Sequence, residues 1–415
     1  MTNLLSINGD VLYNILSFLP TRSGLNLAAT SHALYAEAIC HAISVVTLSN
    51  SPEQVTEFCA YMLADPANRL SQLRALTITS SAFCENSILS IGDYSSGPLL
   101  ADVLAQTPGL RSLSLACTEH LFQSEPRISQ AIISLALLEQ LKLYHISPSV
   151  LDILPKMRSK PRTLALSVHA SGVHAFSLSS YLTHLHYLET LDLSGFSPSH
   201  VDLQATDVAH PPWPAVRSLS LTDIGIHSSA VVHAFPNVRD LRFWGNSAHG
   251  WDMLGLQFGG CWPSLDHVHG SIYELKSWCI TCPISWLQLD GIITEDPIVQ
   301  RDALHVVQSV SPVTLSMEIR PGVNVSFWTR LSEAIPRLRC LELLLVTNST
   351  NLQEWMEKII PTLQTSNIQC LTIYVDLQDD HNRPTEISGR RMVESLCAPL
   401  ARAVPSIQYL SLATG

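Results

Sequence analysis

From residue 73 onward one short phrase keeps returning: an apolar residue, two variable ones, Leu, one variable residue, then Leu again. It reads LRALTI at 73, LRSLSL at 110, LEQLKL at 138, LETLDL at 188, VRSLSL at 216, VRDLRF at 238, LRCLEL at 338, IQCLTI at 368 and IQYLSL at 407. Weaker copies, PRTLAL at 161, LDHVHG at 265, ISWLQL at 284 and PVTLSM at 312, fill the gaps. A period of two marks a strand with one face buried, so each copy predicts a β-strand anchored on its second apolar position. The anchors fall at 76, 113, 141, 164, 191, 219, 241, 268, 287, 315, 341, 371 and 410.

Those anchors are spaced about 28 residues apart, inside the range of leucine-rich repeats. The residues between copies leave room for a helix that covers the apolar strand face. Apolar residues at three- and four-residue spacing predict such helices over 130–138, 178–188, 329–335, 352–363 and 391–404. Six copies carry Pro two residues before the phrase, at Pro108, Pro214, Pro236, Pro263, Pro336 and Pro405, where it stops a helix and favours extended backbone. A doubly wound sheet also alternates strands and helices, but its strands are seldom copies of one phrase, and thirteen is many for one sheet. The fold class expected is therefore α/β: a solenoid over residues 45–415, of about 13–14 repeats, with parallel strands on the concave face and helices on the convex face.

The first 44 residues have a different texture. Val11, Leu12, Ile15, Leu16 and Leu19 recur at helical spacing, Asn8 is placed to cap the helix, and Pro20 ends it. Ser23 and Ser31 mark the starts of two more short helices, carrying Leu25, Leu27 and Ala28, then Leu34, Tyr35, Ala38 and Ile39. A module this small cannot sustain its own core and must lean on the repeats, on a partner, or on both.

Composition sharpens this picture. Leu fills 62 of 415 positions, an excess that the repeated strands explain. Only 14% of residues are charged and the net charge is −11, the wrong sign for a protein that wraps phosphate backbones, so nucleic acid is not an expected partner. The longest stretch free of Asp, Glu, Lys and Arg, 163–188, is broken by His169, His174, His184, His186 and several Ser, so no membrane span is expected. No export signal precedes the helices and the ten Cys follow no disulfide framework, which points to the cytosol or nucleus. The sequons at Asn324 and Asn348 are then chance matches.

The residues flanking each anchor face away from the core, onto the sheet surface. In the early copies they are small: Ala75, Thr77, Ser112, Ser114, Ala165, Ser167, Ser218 and Ser220. The middle copies instead offer Asp240, Arg242 and Trp244, then His267 and His269, then Trp286, Gln288 and Asp290, with Glu318 and Glu342 beyond. Tyr144 joins them as a candidate from an earlier strand. Trp and Arg dominate binding energies at interfaces, so these residues form the expected target-binding surface. The competing expectation is that Trp244 and Trp286 turn inward, as Trp usually does.

Catalytic and metal motifs are wanting. Cys261, His267, His269, Cys279 and Cys282 suggest zinc ligands, yet there is a single CxxC and the two His straddle one residue, as a strand face requires. No GxSxG elbow, phosphate-binding loop, GxGxxG turn, HExxH or calcium loop occurs. The sequence reads as a non-enzyme, with no metal and no cofactor.

Over 7–38 the run INGDVLYNILSFLPTRSGLNLAATSHALYAEA resembles the F-box, most closely in ILSFLP at 15–20. It departs from the family's pattern at Asn8, Ser23 and Gly24. The stretch 45–78 resembles the link in fungal F-box proteins with leucine-rich repeats: a strand at 45–48, a helix from about Pro52, then a second strand. The resemblance implies the substrate-recognition subunit of an SCF-type ubiquitin ligase. It assigns adaptor docking to Ile7, Val11, Leu12, Ile15, Leu16, Leu19, Pro20, Leu25, Leu27, Leu34 and Tyr35. The implied partners are a Skp-type adaptor, a cullin reached through it, and a protein target held by the repeats. The alternative is a repeat scaffold whose first helices merely cap the solenoid. A cap buries the stripe Leu12, Ile15, Leu16 and Leu19 completely, whereas a receptor leaves part of it exposed.

Overall fold

The computed structural model describes residues 8–19, 21–30, 32–84, 92–168, 178–196, 213–224, 228–245, 262–347, 351–377 and 400–414. The chain divides into two compact units, Met1–Ala215 and Val216–Gly415.

The first unit opens with three helices, α1 (Gly9–Ser17), α2 (Thr21–Ala28) and α3 (His32–Ser44). Strands come next at β1 (Val45–Leu48), β2 (Ala75–Ile78), β3 (Ser112–Leu115), β4 (Gln140–Ile146), β5 (Thr163–Val168) and β6 (Thr190–Ser194). Between β1 and β2 lies α4 (Pro52–Leu63), started by Pro52 and capped by the Ser51 hydroxyl, which accepts from Gln54 N–H. Each strand pairs in parallel with the next in sequence, and the anchors align as Leu76, Leu113, Leu141, Leu164 and Leu191.

The second unit repeats the scheme with β7 (Ser218–Thr222), β8 (Asp240–Trp244), β9 (Leu265–Ser271), β10 (Ile284–Ile293), β11 (Thr314–Ile319), β12 (Cys340–Thr347), β13 (Cys370–Leu377) and β14 (Tyr409–Thr414). Its aligned anchors are Leu219, Leu241, Val268, Leu287, Leu315, Leu341, Leu371 and Leu410. Apart from Leu410, which is half-buried, every anchor in both units is fully buried. Strand order thus follows chain order within each unit. A doubly wound sheet reverses its order at a switch point, so that alternative falls, and the nearest-neighbour grammar of a solenoid holds.

The Pro signals follow helix ends as expected, at Ala105, Ala234 and Ala334, but the chain does not pass from them straight into extended backbone. Leu110, Val238, Leu338 and Ile407, which open their phrases, donate backbone N–H to the carbonyls of Thr107, Phe235, Ile335 and Val404. Pro108, Pro236, Pro336 and Pro405 therefore sit second in a tight turn rather than in extended backbone, a position their fixed φ suits. Tryptophans also pin one copy to the one before it. Trp213 Nε1 donates to Leu182 O at 2.9 Å, and Trp262 Nε1 to Phe235 O at 2.8 Å, both with buried indoles.

A second regularity recurs in five of the copies. Cys117, His145, Gly195, Asp223 and Gly291 have φ of 51, 55, 73, 50 and 93°, and each stands four residues past its anchor. In β4 and β10 the strand bulges at this left-handed joint, with register shifts between Tyr144 and Ile146 and between Leu289 and Ile292. At Gly195 a Cβ would lie 2.7 Å from Val168 O, so glycine is required there by space as well as by conformation.

The helices depart from expectation at their ends. The helix expected over 130–138 spans Arg127–Ser134, and the one over 178–188 stops at Leu182. Past Leu182 the chain turns instead, with Leu185 N–H on Leu182 O and Leu188 N–H on Leu185 O. Asn324 caps Val325–Ala334 earlier than the 329 start expected, and Asn351–Thr365 includes Pro361. Of the helix expected over 391–404, residues 391–399 lie outside the described residues. Among the described residues no helix is long and apolar enough to cross a membrane.

Candidate functional site

Each unit presents, among the described residues, a surface patch that the fold itself does not use. In the first unit, α1 carries two apolar stripes of equal spacing. Leu12, Leu16 and Leu19 form one at i, i+4 and i+7, and they pack with Ala38 of α3 and Leu27 of α2. Val11, Ile15 and Phe18 form the other, turned by one residue, and they face outward. Phe18 is 87% exposed, Val11 48% and Ile15 39%, with Tyr35 of α3 exposed as well. Tyr35 also hydrogen-bonds with Tyr61 of α4, whose hydroxyl pKa is raised by burial and by that bond, tying the helices to the first repeat.

This corrects the docking set drawn from sequence. Leu12 and Leu16 are buried inside the helical module and Leu19 and Leu27 half-buried against it, so these four build the core that holds the outer stripe. Val11, Ile15 and Tyr35 are accessible. Phe18 was missed, although its place seven residues after Val11 is the signal that finds it. Ile7 and Pro20 lie outside the described residues, as do the side chains of Leu25 and Leu34.

In the second unit the parallel register brings the middle-copy residues together. Asp240 of β8 aligns with His267 of β9, which aligns with Trp286 of β10, and Arg242 aligns with His269 and then Gln288. Asp240 is the hub. Its carboxylate accepts from His267 Nδ1 at 3.1 Å and from Arg242 Nη2 at 3.1 Å. Burial pushes the Asp240 pKa up, but the hydrogen bonds from His267 and Arg242 outweigh it and the net shift is downward. His269 Nε2 meets Asp290 Oδ1 at 2.6 Å.

Both histidines are braced by indoles. The Trp286 ring lies 4.9 Å from that of His267, and Trp244 meets His269 edge-on at 4.4 Å. Trp244 and Trp286 stay 44% and 41% exposed, so the expectation that they turn inward fails. His269 is itself buried, and it orients Trp244 and Asp290 rather than facing outward. Tyr144 belongs to β4 of the first unit, where it is half-buried with its pKa raised by burial and by Asp192.

The same outward rows continue over β11–β14, where the expected Glu318 and Glu342 are joined by three residues that sequence reasoning missed, Leu344, Tyr374 and Tyr409. Glu318 aligns with Leu344 and Leu344 with Tyr374, and Tyr409 stands in the row of Cys340 and Cys370. Leu344, Tyr374 and Tyr409 are exposed. Burial raises the Glu318 pKa, Asp376 and Asp290 raise it further, and Arg320 offsets them only in part.

As for zinc, Cys261 lies outside the described residues, and His267 and His269 are engaged with Asp240 and Asp290. Among the described residues no group of three or more His, Cys, Asp or Glu is arranged to hold a metal ion.

These features define an α/β repeat protein with parallel strands, a small helical module at its N-terminal side, and apolar and aromatic side chains displayed on each unit. No protein-family model matches the chain, and no curated protein matches it. Among solved structures, a chain in the crystal structure of the yeast Rad7 and Elc1 complex is similar over 91% of this chain and 89% of that one, at 14% identity and a TM-score of 0.36.

Proposed function

We propose that this chain is the substrate-recognition subunit of an SCF-type ubiquitin ligase, an F-box protein with leucine-rich repeats of the kind found in fungi. Its N-terminal helices dock a Skp-type adaptor, and through it a cullin, while the outward strand residues hold a protein target. The chain itself makes and breaks no bonds. It positions the target for the ligase, in the cytosol or nucleus.

The observation that carries this reading is the outer stripe of α1. A helix needs one apolar stripe to seat itself, and the stripe of Leu12, Leu16 and Leu19 serves that purpose. The second stripe, ending in the exposed Phe18, has no structural task among the described residues. A terminal cap would bury both stripes, so the scaffold alternative leaves Phe18 unexplained.

Co-purification with a Skp-type adaptor tests it, comparing the unaltered chain with an Ile15→Asp, Phe18→Asp double variant. Both side chains are exposed, so thermal unfolding should be unchanged while adaptor recovery drops at least ~10-fold, the scale of losing an interface anchor. Equal recovery of the adaptor by both proteins would sink the receptor reading.

A further inference from the structure

The outward face of the second unit is lopsided in charge. Strands β9–β14 carry Asp266, Asp290, Glu318, Glu342 and Asp376 and contain no Lys or Arg. Two of these carboxylates are answered within the fold, Asp266 by Arg239 at 3.9 Å and Asp290 by His269. The Arg242 guanidinium is likewise engaged, on Asp240. Glu318 has Asp290 and Asp376 as neighbours of like sign, and Arg320 is the weakest of the influences on it. Glu342 and Asp376 extend the same negative field toward β13.

Interleaved with those carboxylates are exposed apolar and aromatic groups: Trp244, Trp286, Leu344, Tyr374 and Tyr409. Aromatic faces attract ammonium and guanidinium groups, and long basic side chains lay their alkyl stems along apolar surface while keeping the charge at its edge. A face that offers rings and carboxylates in alternation, with no cation of its own in six successive strands, complements a basic chain and repels an acidic one.

We propose that this face takes an extended protein segment bearing Lys and Arg, with the basic side chains lying over the exposed rings and their charges toward Glu318, Glu342 and Asp376. It rests on the reading of the repeat strands as the target-holding surface and adds to it the chemical class of the target. Nucleic acid and acidic segments are disfavoured by the same field.

Calorimetric titration of the full chain tests the assignment, using three peptides of equal length in which Val alternates with Arg, with Gln or with Glu. The Arg peptide should bind about tenfold tighter than the Gln peptide, the Glu peptide should not bind, and raised salt should erase the difference. A Glu318→Lys, Glu342→Lys variant should reverse the order of Arg and Glu peptides, whereas Trp286→Ala should weaken the Arg peptide without reversing it. Equal binding of all three peptides, no binding of the Arg peptide, or an Arg preference that survives the double charge reversal would overturn the proposal. Adaptor capture without Arg-peptide binding condemns the charge assignment alone. Arg-peptide binding without adaptor capture leaves this face standing and removes the receptor reading.

Discussion

At Glu318, burial and the like charges of Asp376 and Asp290 make the folded chain hold a proton more tightly than the ordinary value of 4.5. The folded state then binds more protons than the unfolded one, so this group costs stability as pH rises from the unfolded value through the folded one. Glu318→Gln should therefore raise the thermal midpoint at neutral pH and leave it unchanged near about pH 3, well below the unfolded value, where both states carry the proton. A midpoint shift of equal size at both pH values would show that packing, not charge, sets the effect. Asp240 behaves in the opposite sense, since His267 and Arg242 stabilise its charged form and that contribution fades as pH falls through its lowered pKa. The identity of these groups was readable in the sequence because a strand fixes which side chains face outward. Their pairing was not, because the hydrogen bond from His267 to Asp240 depends on the alignment of β9 with β8, which a single phrase does not specify.

Among the elements, α1 shows what periodicity alone leaves open. Its apolar positions fix a helix, yet the stripe of Leu12, Leu16 and Leu19 and the stripe of Val11, Ile15 and Phe18 have identical spacing. Only the position of Ala38 and Leu27 decides which stripe turns inward. The energetic consequence is unequal. Leu16→Ala should cost about 2–5 kcal/mol through loss of buried volume, whereas Phe18→Ala should leave stability nearly untouched. Chemical denaturation of the two variants checks this, and comparable losses in both would mean that Phe18 belongs to the core after all. Strand positions were legible throughout, from Leu76 to Leu410, because each phrase is short and its period strict. Helix ends were less so: nothing in 178–188 announces that the chain leaves the helix at Leu182 for two successive turns.

Across the whole molecule, nearest-neighbour pairing is the governing fact, since each strand in a unit pairs with those adjacent to it in sequence. The strand ladder was legible in the recurring phrase. The left-handed joint was not, since Cys117, His145, Gly195, Asp223 and Gly291 share a backbone conformation and no side-chain chemistry. That joint bears on chain engineering. Cys117 and His145 lie 28 residues apart, so excising 118–145 splices one joint onto the next and delivers β3 directly to β5. The shortened protein should keep its parallel-sheet circular-dichroism signal and unfold in one cooperative step. Removing one residue fewer would leave Cys117 and His145 consecutive, two left-handed residues in a row at roughly 1–2 kcal/mol each. A non-cooperative melt of the in-phase deletion would show that the copies are not equivalent.

Interchangeable joints also give such a chain an inheritance of its own. Duplication or loss of a single gene segment can lengthen or trim the array by whole modules, so the reach of its recognition surface can evolve by copy number, with the side chains on each module free to diversify afterwards.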